Sequence, residues 1–393
     1  MKNKLGTILF IFFCFSGSVF AQWQACNGTA GLNMQSLLTN GNYNFAGGAT
    51  GAYLSSDSAA SYSLSNNGND AVGPTRGFTK DSNYVYTCTS KGVFRSADNG
   101  ATWVSKSAGL TNLLGSGILK VGTRLFYVGP TGIFISTNQA ENWNAVGLST
   151  TDVRCITAIK DTLFVGTNGA GIYKSIDWGV NWLAINNGLG ASLNFRAMES
   201  KGNTLFAAGP IGTGVYRSID FGATWTLLGG GLATGSYRGF ASNANLIIAG
   251  SFGGGVFYSI NNGDNWTTIN AGLSDLTIFD LELNDHYIIA ATNTQGVFRF
   301  PIAALNLTSG ITSNDAINSF VLYPNPCANQ INFKVAGKYI GANYTLYNYL
   351  GKTILSGIIK EENTILPMEN LTSGIYFLTF PAHSKQSFKI IKS

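Results

Sequence analysis
The sequence predicts an all-β protein: a seven-bladed β-propeller with N-terminal strand closure, followed by a small immunoglobulin-like β-sandwich. Three observations carry that expectation. A motif of about twelve residues recurs at intervals near 41, short apolar runs separated by Gly-rich or polar turns fill each interval, and the recurrence stops near residue 303, where a second set of short alternating strands begins.

Taken in chain order, the first element is a signal. Lys2 and Lys4 precede the apolar run "LGTILFIFFCF", and "SVFAQ" offers small residues for cleavage after Ala21, so residues 1–21 read as a secretory signal peptide. That run is short for a membrane span, and no span is expected in the mature chain. Removing Lys2 and Lys4 takes the basic count from 24 to 22 against 19 acidic residues, a net charge near +3. So small an excess is no nucleic-acid footprint, and no nucleic-acid partner is expected. His286 and His383 are the only histidines, and Cys26, Cys88, Cys155 and Cys327 stand far apart. No metal site, no cofactor and no histidine-based triad is expected, while the disulfide state stays open.

The repeat is clearest in "GVFRSADNGATW", "GIFISTNQAENW", "GIYKSIDWGVNW", "GVYRSIDFGATW" and "GVFYSINNGDNW", with a worn copy "GAYLSSDSAASY" ahead of them. Marking each by its serine gives Ser55, Ser96, Ser136, Ser175, Ser218 and Ser259, with Phe300 in the next equivalent place, at steps of 41, 40, 39, 43, 41 and 41. One four-stranded propeller blade has this length. Two apolar runs precede each motif, as in "VRCITAIKDTLFVGTNGAGIYKS", and a short strand starts at the Trp, which makes four strands per unit. The last unit, 278 to 302, has three such runs and no Trp after it, whereas Trp23 has no run before it. Trp23 therefore supplies the missing strand. Trp23, Tyr62, Trp103, Trp143, Trp182, Trp225 and Trp266 then mark seven blades over residues 22–303, closed into a ring without an open edge.

The best copies read SxDxGxxW, which resembles the Asp-box (BNR) repeat of sialidase-like propellers. A Ser hydroxyl and an Asp carboxylate can hold backbone N–H groups of a tight turn, Gly supplies positive φ, and the Trp covers the turn. Ser96, Asp98, Gly100 and Trp103, then Ser175, Asp177, Gly179 and Trp182, then Ser218, Asp220, Gly222 and Trp225, are expected in that structural role. The resemblance implies that these boxes lie on the face opposite any active site.

A polar, Ser/Thr/Asn-rich stretch, 304–317, reads as a linker, and short strands over 318–393 suggest the sandwich. In that segment "LYPNP", "LYNYLGKTILSG", "LTSGIYFLTF" and the terminal "KIIKS" resemble, in order and spacing, the C-terminal sorting domain of the Bacteroidetes type IX secretion system. The resemblance implies export through the periplasm, the type IX machinery as partner, and a final place at the outer-membrane surface or outside the cell.

No catalytic residue is singled out. The string "FRFP" is similar to the FRIP signature of sialidases, but Arg299 aligns with Arg95, Lys174 and Arg217 in the third run of each blade, which makes it a repeat copy. Asp-box propellers also occur in polysaccharide-cleaving hydrolases, which use paired carboxylates, and Asp70, Asp152 and Asp275 fall between blades. Those enzymes usually set two propellers around a cleft, and this chain carries one. A binding module for glycan, peptide or surface protein is favoured, with a glycoside hydrolase as the alternative. Its candidate ligand residues come from the first runs: Arg76, Arg154, Arg196 and Arg238 each stand nine residues before Val85, Leu163, Leu205 and Ile247, with Gln35 and Ser116 in the same place and Asp280 one residue away in the last blade. They should cluster at one mouth of the central channel, either to hold an anion or to tie blades through neighbouring carbonyls, with Arg238 pairing to Asp280.

Overall fold
The structure is a computed structural model that describes residues 22–67, 74–210, 212–233, 235–305, 320–335, 340–348, 352–380 and 384–392. The signal peptide and most of the expected linker lie outside them. The chain divides into two compact units, Met1–Asn306 and Leu307–Ser393.

In the first unit the apolar runs form seven antiparallel four-stranded sheets. Blade 2 is representative, with strands Thr75–Lys80, Val85–Thr89, Gly92–Ser96 and Val104–Ser105 from the inside outwards. The second strand is buried along its whole length here and in Leu125 to Gly129 and Thr204–Ala208, since neighbouring blades cover both faces. That is why "VYTCT", "LFYVG" and "TLFAA" read as unbroken apolar or small-residue runs without alternation. The outermost strands are two residues long and exposed, which leaves little edge for another chain to pair with.

The last blade consists of Ile278–Leu283, Tyr287–Thr292, Val297–Pro301 and, as its outer strand, Gln24–Ala25. Gln24 pairs with Arg299 and Ala25 with Phe298. The Cys26 N–H donates to the Val297 carbonyl at 2.8 Å, and the Val297 N–H donates to the buried Thr29 hydroxyl at 3.0 Å. Trp23 packs on Phe300 at 5.5 Å between ring centres, and its indole donates to the Ile269 carbonyl, 246 residues away in sequence.

Each repeat letter has a contact behind it. The indoles of Trp103, Trp143 and Trp225 donate to the carbonyls of Ser65, Lys106 and Ile185, just beyond the outer strand of the preceding blade, at 2.8–2.9 Å. Trp182 and Trp266 turn instead to Gly179 and Gly263 of their own turns. Two glycines that follow an outer strand sit against the next blade's Trp: a Cβ on Gly109 or Gly188 would come within 2.2 Å of the carbonyl oxygen of Trp143 or Trp225, and both glycines have φ near +90°. The third-strand cations form a second lacing. Arg95, Lys174, Arg217 and Arg299 reach the carbonyls of Gln139, Phe221, Asn262 and Ser58, each the first of two left-handed residues in the turn of the following blade. Arg299 of "FRFP" is thus a staple across the closure.

The second unit has a three-stranded sheet, Phe320–Tyr323, Gln330–Val335 and Asn363–Pro367, and a four-stranded sheet, Thr353–Ile358, Asn343–Asn348, Gly374–Phe380 and Ser384–Lys392. Ile331, Phe333, Leu346, Leu366, Leu378 and Ile390 fill its own core.

Because Trp23 is buried and carries the closure, Trp23→Ala should cost about 3–5 kcal/mol, the usual price of truncating a buried Trp. Chemical denaturation followed by tryptophan fluorescence checks this, and deletion of 22–32 should lower the unfolding midpoint further. An unchanged midpoint in the deletion would show that the ring does not depend on this strand.

Candidate functional site
The innermost strands converge on a central depression lined by Gln35, Arg76, Ser116, Arg154, Arg196, Arg238, Phe279 and Asp280. Every blade contributes. Five of these side chains come from one backbone device. Pairing of first and second strands slips between Met34 and Ser36, Thr75 and Gly77, Val153 and Cys155, Tyr237 and Gly239, and Ile278 and Asp280. The extra residues are Gln35, Arg76, Arg154, Arg238 and Phe279. A bulge leaves its residue out of the ladder and re-aims the side chain, here into the mouth. Arg196 and Ser116 come from the position just before the first strand, their N–H groups held by Ala208 and Val128 at 2.8 Å.

Phe279 is the counterpart of the arginines, and Asp280, one residue on, occupies the following position, filled elsewhere by Gly77, Cys155, Ala197 and Gly239. Its carboxylate accepts the Leu37 N–H of the first blade at 2.8 Å and its neighbour Leu281 N–H at 2.9 Å. So oriented, it ties the closing blade to the first, and the expected Arg238–Asp280 pair does not form.

The Nε atoms of Arg154, Arg196 and Arg238 are buried without a hydrogen-bond partner among the described residues. Arg154 pairs with Asp152, which accepts a further bond from Asn168 at 3.1 Å. Arg238 instead lies over two rings, 4.7 Å from the centre of Phe252 and 5.0 Å from that of Phe279. Burial, with Arg196 nearby, pushes its pKa down. Sequence reasoning did not single out Phe252 and Phe279, since an apolar residue in a loop or strand carries no spacing that marks a site.

The other candidates sit elsewhere. Asp98, Asp177 and Asp220 hold box turns: in each, Ser donates to Asp and receives the N–H of Gly at 2.7–2.8 Å, while Asp accepts from the residue before the Trp. Those bonds hold the Asp220 carboxyl down at about 2. Asp275 caps Thr277 and Thr294 at 2.7–2.8 Å, and Asp70 lies outside the described residues. Cys26, Cys88 and Cys155 are unpaired thiols in separate blades, with burial pushing each up to about 12.

The inner strands carry a second charged layer. Burial raises Glu199 and Asp280 to about 7 and Glu282, which also feels Asp280 and Glu199, to about 8. Glu199 accepts the Ser242 hydroxyl at 2.7 Å, and Lys80 partly offsets the charge at Glu282.

Comparison with known proteins addresses both units. Residues 321–393 match the secretion system C-terminal sorting domain family. No curated protein matches the chain. Among solved structures it resembles the extracellular domain of BT4673 from B. thetaiotaomicron, a putative one component system, with a TM-score of 0.60 at 13% identity over 94% of this chain and 47% of that one. It also resembles PorZ of Porphyromonas gingivalis, described as an essential surface component of the type-IX secretion system, with a TM-score of 0.55 at 13% identity over 91% and 59%. A third is the GH74 enzyme of Niastella koreensis, with a TM-score of 0.55 at 17% identity over 70% and 43%. The chain thus spans about half the length of each of these three, and the likeness shows a shared propeller fold. The sorting domain marks the protein for export by type IX secretion to the cell surface or beyond. No described helix is long and apolar enough to cross a membrane.

The raised carboxyls predict a pH dependence. Unfolded Asp and Glu titrate near 4, so stabilisation from Glu199, Asp280 and Glu282 is full below about pH 4 and is lost as pH rises through about 7–8. The box aspartates act oppositely, losing their contribution as pH falls towards 2. Melting temperature should therefore decline between pH 5 and 9, and Glu282→Gln should flatten that decline; a flat wild-type profile would contradict the assignment.

Proposed function
We propose that the protein is an exported surface binding module whose channel mouth holds the anionic group of an extracellular ligand. One observation carries this reading: four guanidinium groups from four blades line a single depression, and the only ion pair any of them makes among the described residues is that of Arg154 with Asp152. Arg76 is exposed, whereas Arg196 and Arg238 each keep a buried Nε without a partner among the described residues; leaving such atoms unsatisfied is unfavourable, and a bidentate anion would satisfy them. Arg76, Arg196 and Arg238 are the residues expected to hold it.

The alternative, a glycoside hydrolase, draws on the likeness to GH74 enzymes. Such chemistry needs two carboxylic groups, one ready to donate a proton and one to act as base or nucleophile. Beside this mouth one oxygen of Asp152 is held by Arg154 and Asn168 while the other has no partner among the described residues, and Asp280 is committed to two backbone amides, so no pair of free carboxyl groups is presented. The binding reading is the better supported.

Replacing Arg76 and Arg196 together by Gln should abolish retention of the protein on an immobilised carboxylate resin at low salt, while the melting temperature stays within a few degrees of wild type. Loss of the fold instead would assign the arginines to architecture. Deleting Asn318 to Ser393 should leave the protein in the periplasm of a host with type IX secretion, read by cell fractionation. Surface display of the truncated chain would remove the export role from this segment.

A further inference from the structure
The four arginines differ in what surrounds them, and the difference specifies the ligand. Asp152 compensates Arg154. Arg196 and Arg238, on adjacent blades, have no such carboxylate, and burial together with Arg196 already presses on the charged form of Arg238. An anion seated between these two relieves that repulsion.

Gln35, Ser116 and Asp280 also line the depression, but what lies beside Arg238 is apolar. Arg238 rests on Phe252 and Phe279, which meet edge to face at 5.9 Å. A guanidinium stacked on rings keeps its N–H groups in its own plane, free to grip a carboxylate. Phe252 is 42% exposed and Leu276, beside it, 38%. The two belong to one ledge, because Phe252 pairs with Thr277 and the N–H groups of Gly253 and Gly255 both donate to the Leu276 carbonyl at 3.0 and 2.9 Å. The ledge also consumes other backbone polar groups: Thr277 donates to Asp275 at 2.8 Å and its carbonyl receives the Asn293 N–H at 3.1 Å. A sugar lying here would find few partners for its hydroxyls. A hydrophobic group would lose nothing.

We propose that the mouth takes a carboxylate joined closely to a hydrophobic group, as at a peptide C-terminus ending in an apolar residue or in a free apolar carboxylic acid. Arg196 and Arg238 hold the carboxylate, and Phe252, Phe279 and Leu276 seat the apolar part. This rests on the anion-binding reading given above and adds the chemistry next to the anion.

Titration calorimetry of the full protein tests it with four probes: N-acetyl-Ala-Phe as the free acid, the same dipeptide as its C-terminal amide, 3-phenylpropionate, and trigalacturonate. The free acid should bind, with the amide at least tenfold weaker. Leu276→Ser, which removes part of the ledge without touching a guanidinium, should weaken the free acid severalfold at an unchanged melting temperature. Phenylpropionate binding as tightly as the dipeptide would support a free acid as the source, and preference for the dipeptide would support a peptide end. Binding of trigalacturonate with no binding of the two apolar acids would overturn this proposal and leave the anion site standing. If no carboxylate binds, both fall.

Discussion
The two-residue strand Gln24–Ala25, hydrogen-bonded into the last blade, is the constraint on which the rest depends. Without it, Val297–Pro301 would be an open edge. Joining segments about 250 residues apart would cost a flexible chain roughly 5 kcal/mol in loop closure. Against that stand the ladder bonds to Arg299 and Phe298, the flanking bonds of Cys26 and Val297, and a buried Trp worth about 3–5 kcal/mol. The balance favours closure, and the fixed ring then sets the distance at which seven inner strands face one another.

Ring geometry alone would point inner-strand side chains at neighbouring blades. The bulges change this at one level only. By inserting one unpaired residue near the start of an inner strand, they turn Gln35, Arg76, Arg154, Arg238 and Phe279 into the mouth, while the next residue returns to the interface and must be small or, in Asp280, must find backbone donors. A glycine at that level is enforced by proximity: a Cβ on Gly239 would lie 2.7 Å from the Cα of Asp280. The cationic mouth and the carboxyls of Glu199, Asp280 and Glu282 are consequences of the same strands read at successive positions.

Much of this could be read from the letters. Blade number, strand count and closure follow from the spacing of Ser, Gly and Trp, because a repeat that packs on its own copies must keep the same contact residues in every copy. The four arginines were legible as a column in the alignment that those contact residues define. The partners were not. Asp152 compensates Arg154 because both flank the start of one strand, and Phe252 reaches Arg238 from the far end of a second strand; neither contact leaves a spacing that distinguishes it from loop or core. The one-residue offset of Asp280 was legible, but the bulge behind it was not, since a bulge is an event of the backbone ladder and leaves no residue signature.

The two faces of the ring treat charge in opposite ways, and this contrast gives the mouth its meaning. On the box face, Asp98, Asp177 and Asp220 spend their oxygens on their own turns, and Arg95, Lys174, Arg217 and Arg299 spend their N–H groups on the carbonyls of the following blade. Polar groups there are consumed by the architecture, which is why the same letters recur in blade after blade. At the mouth, the corresponding column holds Gln, Arg, Ser, Arg, Arg, Arg and Phe, so the position is free of the demand that fixed the boxes. A position that a repeat leaves variable, yet fills with four guanidinium groups of which only that of Arg154 has an ion pair among the described residues, is answering to something outside the repeat.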